Sequence, residues 1–148
     1  MSTLRNAVVS STWSRFVPHV VVAEDDDDQR GLLVAALERD GCRVTGLADG
    51  ERLLELMSSP ATSPSVDLVV SDVRMPVFTA LEVLGALRNV VRRAPWLLIT
   101  AIHGDDVLEQ ARSLGAVGVL RKPFGAADFR LAVRLLLEHS LRSRNRRR

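Results

Sequence analysis

Glu24 and Asp25, the separate Asp72, Thr100 and Lys122 are residue types suited to handling a phosphoryl group. Crowded carboxylates repel, which raises their pKa values unless a cation is present. A hard divalent ion with oxygen ligands relieves that repulsion. Mg2+ typically takes one or two carboxylates, keeps several waters and accepts phosphate oxygens. The Thr100 hydroxyl and the Lys122 ammonium are then left to hold the remaining phosphoryl oxygens, because such transfer is catalysed mostly by positioning and electrostatics. An aspartate in this setting can act as the nucleophile and become an aspartyl phosphate. Lys122 is also the only lysine among 20 basic residues. In an arginine-rich chain it marks a place where a compact ammonium on a flexible stem is wanted rather than a planar fork.

These residues can act together only if the chain delivers them to one place. From Pro18 onward, short β-branched runs alternate with longer segments of helical period. The runs predict strands over His19 to Ala23, Cys42 to Leu47, Asp67 to Ser71, Trp96 to Thr100 and Ala116 to Arg121. Apolar stripes between them predict helices: Leu32, Leu33, Ala36 and Leu37; Leu53, Leu54 and Met57; Leu81, Leu84, Leu87 and Val91; Val107, Leu108, Ala111 and Leu114. A fifth helix is expected over Ala126 to Ser140. Gly41 and Gly115 stand where helices should end, and residues 58–65 read as a loop. Strict alternation of strand and helix predicts an α/β fold, a parallel sheet covered on both faces with right-handed crossovers. Ligands of such sheets bind beyond the carboxyl ends of the strands, where strand order reverses. Glu24 and Asp25 follow the first predicted strand, Asp72 the third and Lys122 the fifth, while Thr100 closes the fourth.

With these motifs the chain resembles the receiver domain of two-component response regulators. The matching pieces are VVVAEDD at 20–26, DLVVSDVRMP at 67–76, LLITA at 97–101, Gly115-Ala116 and KPF at 122–124. The resemblance spans about residues 18–140. It implies a doubly wound, flavodoxin-like sheet of five parallel strands in the order 2-1-3-4-5 with five helices. It also implies that Asp72 is the phosphoacceptor, and that Glu24, Asp25, Asp72 and the backbone carbonyl of Arg74 hold Mg2+. Thr100 would be the switch hydroxyl, Lys122 the partner of the phosphoryl oxygens, and Pro123 would follow a cis peptide. The implied donor is a phosphohistidine on a sensor histidine kinase or a histidine phosphotransfer protein. Such a protein is a signalling phosphoacceptor rather than a turnover enzyme, acting through a downstream partner.

The chain departs from the pattern at Val119, where family members commonly carry the Tyr or Phe that swings inward with the threonine. There is no tyrosine at all, so the signal would pass through backbone and helix-four movement. Arg74 and Ile102, each two residues beyond a site residue, flank the line of water attack, and the apolar Ile102 predicts slow self-dephosphorylation. Two other readings stay open. A haloacid-dehalogenase-like phosphatase shares these residue types, and Gly104-Asp105-Asp106 resembles its last motif, but its order along the chain differs. A degenerate receiver acting as a phosphorylation-independent binding module is the other. Capping of a helix N-terminus explains Asp27 and Asp28. His103 reads as a loop residue.

Bulk properties set the frame. A chain of 148 residues suits one domain with its own core. The single Cys42 cannot form an intramolecular disulfide, which fits a reduced, cytoplasmic setting. No apolar run reaches the roughly 18 residues that a membrane span needs. Setting aside Arg142, Arg144, Arg146, Arg147 and Arg148 turns the net charge of +2 into −3. Residues 1–17 therefore read as an extension, 18–140 as the receiver domain and 141–148 as a basic tail. With so little chain after Ser140, a stand-alone receiver without a DNA-binding helix-turn-helix is expected. If Phe129, Val133, Leu136 and Leu137 face the sheet, Leu131 and Leu135 point away. They would offer a homodimer surface formed by helix four, strand five and helix five.

Overall fold

The computed structural model describes residues 16–59, 65–89, 94–101, 105–116 and 118–146. Val91, Ile102, His103, Gly104 and most of the N-terminal extension lie outside them. Strands β1 (His19–Ala23), β2 (Arg43–Leu47), β3 (Leu68–Asp72), β4 (Trp96–Thr100) and β5 (Gly118–Arg121) alternate with five helices. These are α1 (Asp27–Arg39), α2 (Gly50–Ser58), α3 (Ala80–Ala86), α4 (Asp105–Ser113) and α5 (Ala126–Arg146).

All strand pairs are parallel and the order is β2-β1-β3-β4-β5. Residues of β1 and β4 are buried throughout, as expected of central parallel strands covered on both faces. Side chains alternate between the faces. Val21, Val69 and Leu98 pack with Leu53, Met57, Val83 and Ala111 on one side. Val20, Val70 and Ile99 pack with Leu37, Phe129, Val133 and Leu137 on the other. Because β1 pairs with both β2 and β3, the chain leaves it in opposite directions, and the crevice opens at the carboxyl ends of β1 and β3.

Several sequence expectations shift, among them the start of β2, which is Arg43 instead of Cys42. β3 begins at Leu68 instead of Asp67, because Asp67 is a bridge to β1: its N–H donates to the His19 carbonyl at 2.8 Å and its carboxylate accepts from the His19 N–H at 2.8 Å. Asp72 thereby becomes the last residue of the strand, not the first of the loop. β5 begins at Gly118 instead of Ala116, whose N–H caps α4 through the Ala111 carbonyl at 2.9 Å. Leu32 leaves the predicted apolar stripe and is 72% exposed. The buried face of α1 centres on Leu37 with Leu33, Val34 and Ala36 beside it, and Leu32 lies about 140° around the helix from Leu37.

α5 continues through Arg146, so the basic segment starts as its last turns. Its buried face is the expected one, with Phe129, Val133 and Leu137 inside and Leu131 and Leu135 exposed. Arg130 grips Asp40 with a fork of two bonds, Nε to Oδ2 at 2.9 Å and Nη2 to Oδ1 at 2.5 Å, tying α5 to the C-cap of α1. His19 is buried and shares a 2.7 Å hydrogen bond between Nε2 and the Thr45 hydroxyl. Cys42 is a buried free thiol, pushed up to about 12 by burial with Asp40 and Asp67 adding to it.

The loop between β3 and α3 is clamped from several sides. Its far end is set by Thr79, which caps α3 in a reciprocal box with Glu82, and the Ala80 N–H returns to the Val73 carbonyl at 3.0 Å. Val77 adopts φ 71°, a left-handed conformation rare for a β-branched residue, and is 62% exposed. Gly50, first residue of α2, donates its N–H to the Pro76 carbonyl at 3.3 Å. A Cβ on Gly50 would lie 2.0 Å from the Phe78 carbonyl oxygen. Since that neighbour is backbone, Gly50→Ala must push the loop away from α2. It is expected to destabilise the fold by about 3 kcal/mol in urea titrations, whereas Gly31→Ala, which meets nothing within 4 Å, should not.

Candidate phosphoryl-transfer site

The site forms at the crevice end of the sheet. Glu24 follows the buried β1 and is itself only 3% exposed, because its N–H continues the ladder by donating to the Leu47 carbonyl at 3.0 Å. Asp25 is exposed beside it, and Asp72 is half-buried at the end of β3. Oxygen atoms of Glu24, Asp25 and Asp72, one from each, lie within 4.8 Å of one another. The end of β3 is held by the Val73 N–H donating to the Ile99 carbonyl at 2.9 Å and by the Ser71 hydroxyl donating to the Asp72 carbonyl at 2.9 Å.

Lys122 reaches into this cluster from beyond β5. Its Nζ stands 3.1 Å from Asp72 Oδ2 and 3.9 Å from Glu24 Oε1, and its N–H donates to the Thr100 carbonyl at 2.8 Å. The peptide between Lys122 and Pro123 is cis. Thr100 is buried at the end of β4 and pairs in register with Arg121. Arg74 sits exposed in the loop, and its N–H donates to Asp72 Oδ1 at 3.3 Å. Val119 is half-buried and packs on the α2–α3–α4 side of the core.

Two contributors were not expected from the sequence. Arg30 donates from Nη1 to the Glu24 carbonyl at 2.8 Å and from Nη2 to Asp27 at 2.5 Å, which docks the first turn of α1 on the acidic segment. Asp26 is the N-cap of α1, accepting from the Gln29 N–H at 2.9 Å. Gln29 in turn accepts from the Lys122 ammonium through Oε1 at 3.2 Å. The spacing from Asp26 to Gln29 is that of a capping box, so the sequence points the amide back at the N-cap, while the fold offers it a cation.

The crowding has an electrostatic consequence. Burial first, then a hydrogen bond and charge from Asp72, push Glu24 up to about 8, against an opposing pull from Lys122. The rise reflects three carboxylates converging where one of them is buried. Hard oxygen donors at this separation suit a small divalent ion.

An open doubly wound sheet with carboxylates at its switch point and a lysine beside the central aspartate defines the receiver class of signalling domains. The family model described as the response regulator receiver domain matches residues 20–134. The transcriptional regulatory protein PdtaR of Mycobacterium tuberculosis is 34% identical over 117 residues, covering 78% of this chain and 55% of PdtaR. The transcriptional regulatory protein CpxR of Escherichia coli is 31% identical over 121 residues, 82% of this chain and 50% of CpxR. The chemotaxis response regulator CheY4 of Vibrio cholerae superposes with a TM-score of 0.71 at 25% identity, covering 82% of this chain and 99% of CheY4. The chain belongs to the response regulator receiver domain family. It spans about half the length of PdtaR and CpxR. Members are signalling phosphoacceptors rather than turnover enzymes, and they interact with histidine kinases or phosphotransfer proteins. Among the described residues, no helix is long and apolar enough to cross a membrane.

Glu24 yields a test of the metal-free state. Its folded pKa, about 8, lies above its ordinary 4.5, so the folded chain holds a proton that the unfolded chain releases. The contribution of Glu24 to stability is then fully present below about 4.5 and is lost as pH rises toward about 8. Urea titrations of the metal-free protein should show this decline, and Glu24→Gln should flatten it.

Proposed function

We propose that Asp72 accepts a phosphoryl group from a phosphohistidine of a sensor kinase or phosphotransfer protein. The observation that carries this is the Lys122 ammonium, 3.1 Å from Asp72 Oδ2 within a cluster of acids. An Asp72 carboxylate oxygen forms the new bond to phosphorus as the P–N bond of the donor breaks. The electron pair leaves with the imidazole nitrogen, which takes its proton from solvent. Glu24, Asp25, Asp72 and the Arg74 carbonyl would hold Mg2+, which supplies charge neutralisation for the oxygens in flight. The Arg74 N–H fixes the rotation of the Asp72 carboxylate, and Lys122 follows the negative charge as it moves onto the phosphoryl oxygens.

Thr100 reads that change through its hydroxyl, a reading supported by its position at the end of β4, where its carbonyl accepts from the Lys122 backbone N–H. With Val119 at the position where an aromatic ring would swing, rearrangement passes through the backbone of β4 and β5 and through α4. Leu131 and Leu135 are exposed on α5, and the surface formed by α4, β5 and α5 is where a downstream partner or a second copy would meet the chain.

Incubation with acetyl phosphate and Mg2+, followed by intact mass measurement, tests the reading. The natural chain should gain one phosphoryl mass and Asp72→Asn should gain none. No gain in the natural chain refutes phosphoacceptance, and steady release of phosphate from simple esters would instead favour a phosphatase.

A further inference from the structure

Lys122 has three N–H bonds to place, and its ammonium ends a flexible four-carbon stem that nothing covalent orients. Asp72 takes one at 3.1 Å, Glu24 stands farther off at 3.9 Å, and Gln29 Oε1 accepts another at 3.2 Å. Gln29 is exposed, but its backbone is fixed. It lies in the first turn of α1, its N–H is fixed by the Asp26 cap, and that turn is docked by Arg30 on the Glu24 carbonyl. The acidic run thus sets the position of a neutral acceptor opposite the lysine.

We propose that Gln29 is a positioning residue for phosphoryl transfer, holding the Lys122 ammonium over the site while the charge beneath it moves. The proposal rests on Asp72 being the phosphoacceptor. Before transfer, the lysine is drawn to the Asp72 carboxylate. When Asp72 becomes an acyl phosphate, that oxygen loses its formal charge and the phosphoryl oxygens carry it instead. The strongest hold on the lysine therefore changes position during the reaction. An amide oxygen does not change charge during the transfer, so Gln29 gives the ammonium a constant anchor about which it can turn from Asp72 to the phosphoryl oxygens. A carboxylate in its place would compete for the ammonium, and an apolar side chain would release it.

Because Lys122 is the only lysine, lysine labelled with 15N at Nζ reports this one ammonium by NMR. Its N–H signal should be protected from exchange in the natural chain and lost to solvent exchange in Gln29→Leu. Phosphorylation by acetyl phosphate with Mg2+ should slow about tenfold in Gln29→Leu, the effect expected from loss of one hydrogen bond to a charged group. In a Lys122→Ala background the same change should have no effect, because the anchor then holds nothing. An unchanged ammonium signal overturns the proposal, as does a Gln29→Leu loss of equal size in both backgrounds. If the natural chain takes no phosphoryl group, the reading of Asp72 fails, and the ammonium signal still decides whether Gln29 holds Lys122.

Discussion

Mutual repulsion among Glu24, Asp25 and Asp72 is the constraint around which the rest of this molecule is arranged. Three acids meet at the mouth of a sheet whose strands are buried on both faces, and one of them, Glu24, is almost wholly removed from water. Desolvation makes their charge expensive: burial raises the Glu24 pKa, and the ammonium of Lys122 opposes that rise. Because the ammonium ends a flexible stem, it is a movable counter-charge rather than a fixed one. A core of packed apolar layers is needed to keep the acids from simply moving apart.

Much of this was legible in the chain. The central strands β1, β3 and β4 were visible as apolar runs, because parallel strands covered on both faces lack the polar alternation that blurs half-exposed ones. Once the strand ends were marked, Glu24, Asp25, Asp72, Thr100 and Lys122 fell on one edge without further assumption. Pattern was less informative where partners rather than periodicity decide. Asp67 reads as a strand residue, but its carboxylate is committed to the His19 N–H, and this moves the end of β3 onto Asp72. Leu32 fits an apolar spacing, yet it lies about 140° around α1 from the buried Leu37 and is left in solvent. Gln29 was invisible as a site residue because its cation lies in another segment, and Arg30 because it reaches the site through the Glu24 backbone carbonyl. No spacing rule links Gln29 to a lysine 93 residues away.

The acidic run from Glu24 to Asp28 shows how one stretch of sequence can divide its labour. Its first two residues face the crevice, Asp26 begins the helix, and Asp27 orients the arginine that holds the run's own backbone. Capping and chemistry are thus not rival explanations of these acids. The cap fixes the phase of α1, and that phase decides which side chain of its first turn meets Lys122.

The loop after Asp72 carries a different kind of consequence. Val77 is held in the left-handed region between the tight approach of Gly50 on one side and the Val73–Ala80 bond and Thr79 cap on the other. A valine there costs about 1–3 kcal/mol of backbone strain, tolerable only while both restraints are intact. The two positions are therefore not free to vary independently over evolutionary time. A lineage that first relieves position 77 with asparagine or glycine gains latitude to lose Gly50, whereas a lineage that loses Gly50 first faces both penalties together. The order of substitution is written into a backbone angle, several residues away from any chemistry.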